Sequence, residues 1–487
     1  MSLFDTRVPA VLLRIDRNPF HHGTLGAVRS LGRAGTDVHV VADCAESPVR
    51  FSRYVSRLHT PPPPGASPAD IAVVLRRVAA RIARPAVLIP MDDASAVAVG
   101  RMRGELAPVF LLPDLPFGLP ERVADKGELA GVCASLDIPH PETLVPDSPA
   151  EAARAARRLG LPVVAKWSRP WLVPPGSGLR STVLVRSAVD AGELHLRAEE
   201  AGSRLLLQAF LPPGPDRDWF FHGYADRSGT VRTGGAGRKT RARPRGAGLT
   251  AAGRWTPNPP VRALAERIVE ELGYRGIFDL DFRRCGTTGR YHLLDFNPRP
   301  GAQFRLFTDT AGLDVVRALH LDLTDRPLPE GAPRPGRTFV VENYAPLSAL
   351  RPAPHGRELA WHAQDDRAPG RALWALWGRH VTNRLLHRLR HRLLRLQGFQ
   401  STHGTHGTHS TRFPRRRTDR PGAGQPAPAR VVRQATAPAT DRAGRPDRSH
   451  GADRSAPSAP SDRSDPSGRS GRPERSGRPD DERAGSH

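Results

Sequence analysis

Short apolar runs alternate with helical patterns along the first 120 residues. Pro9–Ile15 (PAVLLRI) is too short for a helix and reads as a buried strand. Leu25–Ala34 spaces its apolar residues as a helix does, Gly35 closes it, and Asp37–Ala42 (DVHVVA) is a second strand. Asp70–Ile82 is again helical, and Ala86–Ile89 and Val109–Leu112 are strands. Strand, turn, helix, strand opens a doubly wound α/β unit, in which ligands sit beyond the carboxyl ends of the strands. His22–Gly26 (HGTLG) follows the first strand but lacks the full glycine spacing of a dinucleotide loop.

The pattern changes near Pro120. Ala124–Leu136 and Pro149–Leu159 read as helices, and Leu161–Lys166 as a strand ending on a lysine. A Pro/Gly-rich loop (SRPWLVPPGSGLRST) leads to the strand Thr182–Val185, the helix Glu193–Ala201 and the strand Leu205–Phe210. Trp219–Ala225 and Thr230–Gly234 form a strand pair, and Val261–Leu272 is helical. Gly276–Phe282 and Tyr291–Phe296 are strands joined by the turn CGTTG; the helix Val315–Leu321 follows, then Pro-rich linkers. This order predicts α+β architecture with antiparallel pairs. The expected domains are 1–119, 120–330, an extension over 331–399, and a tail over 400–487.

The sharpest chemical signal is Asp279-Leu-Asp-Phe followed by Leu294-Asp-Phe-Asn-Pro-Arg-Pro-Gly. Residues two apart on a strand share a face, so Asp279 and Asp281 point one way, as do Asp295 and Asn297 on the hairpin partner. Carboxylate and amide oxygens converging between apolar flanks suit a hard cation such as Mg²⁺, with Mn²⁺ as the alternative. Asp281, Asp295 and Asn297 are the expected metal ligands. Arg299, two residues on, has the planar fork that binds phosphate or carboxylate bidentately.

Lysine usage sharpens this picture. Of 73 basic residues only three are lysine, Lys126, Lys166 and Lys239, and the other 70 are arginine. Arg does not replace Lys where a compact ammonium must meet a phosphate oxygen, so these positions are candidates for such contacts.

On these residues the chain resembles the ATP-grasp superfamily, in particular its carboxylate–amine ligases, over about Pro9–Pro329. DKGEL (Asp125–Leu129) resembles the motif whose lysine approaches ATP, and PVVAKW (Pro162–Trp167) the strand whose lysine binds ATP phosphate. GSGL (Gly176–Leu179) falls where the family's glycine loop covers the phosphates, and LLLQAFLPPG (Leu205–Gly214) resembles the hinge strand lining adenine. GRKTRARP (Gly237–Pro244) is similar to the segment facing the γ-phosphate, and LLDFNPRPG (Leu293–Gly301) to the magnesium motif, with Asp295 where Glu is usual.

The resemblance implies a pre-ATP-grasp α/β domain, then an ATP-grasp domain, and an ATP- and Mg²⁺-dependent ligase joining a carboxylate to an amine through an acyl phosphate. An amino acid or small peptide is the expected substrate class. It implies ATP contacts from Lys126, Lys166, Gly176, Gly178 and Gln208, with Lys126 at the more open end. Asp218 is a ribose contact or a surface acid. Lys239, Arg241 and Arg299 serve at the transferring group, the arginines as oxyanion partners.

Charge comes last. The formal net charge is +24; 17 Arg against 10 acids in Gln400–His487, and seven Arg without an acid in Arg371–Gln397, supply much of it. The tail has one Phe and two Val as its large apolar residues, too few to offset ordering entropy, so it is expected to be disordered. Its repeat Thr402–Ser410 (THGTHGTHS) reads as low complexity. Arg371–Gln397 is a basic amphipathic helix with Trp374, Trp377, Val381, Leu385, Leu389, Leu393 and Leu396 on one stripe. Its candidate partners are the body, a second copy of the chain in a homodimer, or an anionic membrane surface. A second functional class, a basic nucleic-acid or anionic-surface binder, draws on the same charge. However, the tail's interspersed acids and scarcity of aromatics argue against a specific nucleic-acid partner. Three scattered cysteines (Cys44, Cys133, Cys285) give no disulfide or zinc spacing and fit a reducing cytoplasm, with Cys133 and Cys285 expected as core thiols.

Overall fold

The computed structural model describes residues 3–243 and 248–400, with side chains in the last helix described at 368–383 and 386. The tail from 401 onward, with its histidine repeat, lies outside the described residues.

The first five strands, β1 (Ala10–Leu13), β2 (Val38–Val41), β3 (Arg57–His59), β4 (Ala86–Pro90) and β5 (Phe110–Leu111), form one sheet in the order β3-β2-β1-β4-β5. Every pair is parallel. Helices α1 (His22–Arg33), α2 (Pro68–Ile82), α3 (Asp93–Arg101) and α4 (Arg103–Leu106) connect them. β1 and β4 are buried along nearly their full length, as continuous apolar runs in a parallel sheet must be. The strand order reverses between β1 and β4, which opens a crevice at their carboxyl ends. Asp92 ties that crevice together: it caps α3 through Ser95 N at 2.7 Å and accepts Ile15 N at 2.6 Å and Asp16 N at 3.0 Å from the loop after β1.

The helix expected over Ala124–Leu136 is two helices, α5 (Leu119–Ala124) and α6 (Lys126–Ser135). Asp125 breaks them: it is extended, and its side chain accepts from Gly127 N and Glu128 N as an N-cap. Lys126 thereby becomes the first residue of a helix. β6 (Thr143–Leu144), β7 (Val163–Trp167), β8 (Thr182–Val185) and β9 (Leu205–Ala209) form an antiparallel sheet in the order β6-β9-β7-β8, backed by α7 (Pro149–Leu159). The helix expected over Glu193–Ala201 starts earlier and is split into α8 (Ala188–His195) and α9 (Ala198–Ala201).

The remaining strands are β10 (Asp218–Ala225), β11 (Val231–Arg243), β12 (Leu249–Trp255), β13 (Gly276–Arg284), β14 (Tyr291–Asn297), β15 (Thr338–Val340) and β16 (Arg357–Leu359). They form a seven-stranded sheet, order β14-β13-β10-β11-β12-β15-β16, flanked by α10 (Pro259–Glu271) and α11 (Val315–Leu323). β11 runs nine residues past the expected Gly234 and so carries Lys239 into the sheet. Glycine is required in it: a Cβ at Gly237 would stand 2.4 Å from the Phe220 ring. The stretch read as Pro-rich linker supplies β15 and β16, so part of 331–399 extends this sheet instead of trailing from it.

The last helix, α12 (Ala368–Gln400), docks by its first turns: Leu373 is fully buried, and Trp377 stacks edge-on against Phe20 (5.0 Å) and Tyr344 (5.6 Å). Of the expected apolar stripe, Trp374 and Val381 instead remain open to solvent, because the docked face is the one carrying Leu373, Leu376 and Trp377. The side chains of Leu385, Leu389, Leu393 and Leu396 are outside the described set. No described helix is long and apolar enough to cross a membrane.

A buried ion pair fastens this region. Arg29 Nε meets Asp366 Oδ2 at 2.9 Å with both side chains almost wholly buried, and Asp366 also accepts Ser52 Oγ at 2.7 Å and Arg53 N at 3.0 Å. Removing one member of such a pair strands the other charge without solvent. Asp366→Ala should therefore lower unfolding free energy by about 3–5 kcal/mol, measured by chemical denaturation.

Candidate active site

The hairpin β13–β14 sets Asp279 opposite Asn297 and Asp281 opposite Asp295, so the four polar side chains share one face. The alternating residues Leu280, Phe282 and Phe296 point into the core, which fixes the register: a one-residue slip would turn the acids into the apolar core and the aromatics into the site. Burial, and then the neighbouring Asp281 charge, push Asp279 up to about 7. Asn297 Nδ2 donates to Asp279 Oδ2 at 3.3 Å.

Three separate elements bring the three lysines to this hairpin. Lys126, at the start of α6, ion-pairs with Asp295. Lys239, on β11, places Nζ 2.7 Å from Asp281 Oδ1. Lys166, on β7, donates from Nζ to Leu294 O at 3.1 Å. Burial opposes the charge on Lys126 and Lys239, but the facing carboxylates prevail and hold both above the ordinary lysine range. At Lys166 burial prevails over the pull of Asp295 and brings the ammonium down to about 8. Lys126 does not occupy an open end, as its side chain is 9% exposed against 15% for Lys239. The α6 N-terminus seats it inside the cluster.

The Lys166 shift has a pH signature. Between about 8 and the ordinary 10.5 the unfolded chain holds a proton that the folded chain has lost, so this group makes stability rise with pH through that window. Lys166→Met should flatten that rise in denaturation curves taken between pH 7.5 and 10.

Arg299 bridges the two halves of the site: Nε donates to Asp93 Oδ1 at 3.0 Å, at the start of α3, and Nη1 to Asp279 Oδ2 at 3.2 Å. His222, from β10, lies with Nε2 3.3 Å from Asp279 Oδ1 and is buried and neutral, desolvation bringing it down to about 3. The sequence reading did not single out Asp93 or His222. Asp93 carried a signal, being an acid just past the carboxyl end of a parallel strand. His222 carried none, since a lone histidine in an apolar strand reads as core.

Other expected site residues lie around this cluster. Gln208 is buried on β9, and its Nε2 donates to Thr143 Oγ1 at 3.0 Å. Gly176 and Gly178 sit in an exposed loop with positive φ (89° and 76°), and neither has an atom within 4 Å of a would-be Cβ. Asp218 is no loop acid: it opens β10 and accepts from Arg283 Nε at 2.6 Å. Arg241 is exposed and stands apart from the acids, because a bulge after Lys239 interrupts the regular alternation of β11. Cys133 is a buried core thiol, but Cys285 is not: it lies partly exposed in the β13–β14 turn, where hydrogen bonds from Thr288 and Thr287 lower its thiol to about 7.

The donor set fits a magnesium ion that draws further ligands from phosphate and water. Two carboxylates and an amide oxygen are hard donors, and each carboxylate now carries a lysine that a triphosphate would attract away. Among the described residues no three His, Cys, Asp or Glu side chains form a closed metal cage of their own.

No family model matches the chain. D-aspartate ligase of Enterococcus faecium (strain Aus0004) is 24% identical over 320 residues, covering 63% of this chain and 74% of that protein. The carbamoyl phosphate synthase large chain of Myxococcus xanthus (strain DK1622) is 26% identical over 220 residues, 43% of this chain and 19% of that one. Among solved structures, L-amino acid ligase from Bacillus licheniformis aligns with a TM-score of 0.52 at 16% identity, covering 68% of this chain and 77% of that chain. An ADP complex of N5-carboxyaminoimidazole ribonucleotide synthetase aligns with a TM-score of 0.50 at 13% identity, covering 67% and 80%. These structures share the ATP-grasp fold, and this chain has it too. In sequence the chain resembles the D-aspartate ligase, and in fold the L-amino acid ligase.

Proposed function

We propose that this protein is an ATP-dependent ligase that joins a carboxylate to an amine, with an amino acid or small peptide among its substrates. The observation that carries this reading is the convergence of all three lysines of the chain on the Asp281–Asp295 hairpin. A protein whose other 70 basic residues are arginine keeps ammonium groups at one point in space. That point also holds the donors for a hard cation.

In this reading Lys126 and Lys166 hold the phosphates of ATP, and Gln208 with the exposed loop at Gly176 and Gly178 flanks the nucleotide. Asp281, Asp295 and Asn297 hold Mg²⁺, which when bound neutralises phosphate charge. Lys239 sits at the transferring phosphoryl group, where fixed positive charge does most of the work. The substrate carboxylate takes the γ-phosphoryl group to give an acyl phosphate, and the amine displaces phosphate to leave an amide. Arg299, fixed by Asp93 and Asp279, presents a guanidinium held in place before the oxyanion develops, the condition for strong electrostatic stabilisation. Arg241 would take part only through movement of β11.

The test is a screen of carboxylate and amine pairs for ADP release in the presence of Mg²⁺, with mass spectrometry of the products. A pair that yields ADP, phosphate and an amide in equal amounts supports the reading. ATP hydrolysis that ignores both substrates, or none with any pair, overturns it.

A further inference from the structure

Behind the loop that carries Arg299 lies a cavity, bounded by the parallel sheet on one side and by the start of β13 on the other. It offers about 60 Å³ to the centre of a water-sized sphere. One water needs roughly 10–15 Å³ on that measure, so there is room for about four waters or a branched body of about four carbons. Its wall is mostly apolar: Ile89 from β4, Val99 from α3, Leu112 from the segment after β5, Ile277 from β13 and Leu319 from α11 all line it. Ile89, Val99, Ile277 and Leu319 are themselves buried, so the floor of the space lies in the core. A space of this chemistry favours hydrocarbon over water, which needs two to four polar partners.

Three arginines interrupt the apolar wall, and one of them, Arg299, is held by Asp93 and Asp279. Arg103 Nη2 pairs with Asp114 Oδ1 at 2.9 Å, and its Nε donates to Pro113 O at 3.1 Å. Arg275 reaches the same acid only loosely, with Nη1 3.3 Å from Asp114 O and 3.9 Å from Asp114 Oδ2. Its Nε is buried without a hydrogen-bond acceptor. A buried donor left unpaired costs free energy, and the cost is larger on a charged group. Two guanidinium groups therefore face one carboxylate, which is itself 71% exposed. Arg275 thus brings to this wall a guanidinium with a buried donor that an anionic acceptor would satisfy.

We infer that this cavity binds a small apolar carboxylate, with its hydrocarbon body among Ile89, Val99 and Leu319 and its carboxylate on Arg275. Pro298, Arg299 and Pro300 form part of the same wall, so an occupant rests against the loop that aims Arg299 at Asp93 and Asp279. A ligand of this chemistry comes from one of two sources: the carboxylate consumed by the reaction, or a separate effector. The site itself does not depend on the ligase reading.

The probe is 3-methylbutanoate, with 3-methylbutanamide as its neutral isostere, titrated into the full chain by calorimetry or ligand-observed NMR. The acid should bind about tenfold more tightly than the amide, as expected for a charge-assisted pair over a neutral one. Val99→Trp, which fills the cavity, should abolish binding of both. Arg275→Gln, a change at a partly exposed side chain, should keep the amide's affinity and erase the tenfold preference for the acid, so the inference remains testable should the tryptophan variant fail to fold. Circular dichroism checks the fold of each variant. If 3-methylbutanoate fails to bind, or binds equally well to Arg275→Gln, the assignment is overturned. Where it binds as inferred, ADP release with the probe as the carboxylate, across the amine panel, identifies a substrate pocket. Binding without turnover identifies an effector pocket.

Discussion

Asp295→Asn should reduce ligase turnover by at least on the order of a hundredfold while leaving a folded protein. The substitution keeps the shape of the side chain and removes its charge. Two losses combine. The cation site keeps one carboxylate where it had two, and Lys126 loses the anion that holds its ammonium in place. Asp295 is 28% exposed, and asparagine keeps an oxygen that can accept from Lys126 Nζ, so the fold survives. The check is steady-state ADP release across a magnesium titration, with circular dichroism as the folding control. Partial rescue at high Mg²⁺ would locate the loss in metal affinity. Normal turnover at ordinary Mg²⁺ would remove Asp295 from the metal site.

The second large effect concerns the lysines. Lys166→Arg and Lys239→Arg should each cost on the order of a hundredfold in kcat/KM, because a guanidinium is larger than an ammonium and displaces the phosphates by about an ångström. The two should differ in kind: Lys166→Arg should weaken ATP binding, and Lys239→Arg should bind ATP and transfer its phosphoryl group slowly. From the motif alone Lys126 was expected to tolerate arginine best. The structure reverses that expectation. Lys126 is the least exposed lysine of the two ion-paired ones and already contacts Asp295, so Lys126→Arg should be as damaging as the others. ATP binding by calorimetry, read beside kcat, separates the three cases. Near-normal rates in all three variants would make the convergence of lysines a coincidence.

Much of this site was legible before any coordinates. The spacing Asp279, Asp281 and Asp295, Asn297 assigns each pair to one strand face, and apolar residues between them say which face is the core. Local chemistry of that kind depends only on the two-residue period of a strand. Where the reading failed, the cause was a tertiary partner. Asp125 split an expected helix because its side chain caps α6 and also accepts from Arg169 Nε at 2.7 Å. The Pro-rich stretch after α11 became strands because β12 offered an open edge. Cys285 left the core because the hairpin turn reaches the surface.

The doubly wound start, the acid-bearing hairpin and the scarcity of lysine were readable from the residues, since each is a matter of composition or of residues within one element. Long-range packing sets which lysine meets which acid, that Arg299 is held by Asp93 at the start of α3, that His222 lies against Asp279, and that Arg241 is exposed. Lys126 and Asp295 are 169 residues apart in sequence, and Asp93 and Arg299 are 206 apart. Nothing in a local pattern encodes such a contact. It follows from how three sheets pack, and the energy that fixes it comes from burying the apolar faces that those sheets share.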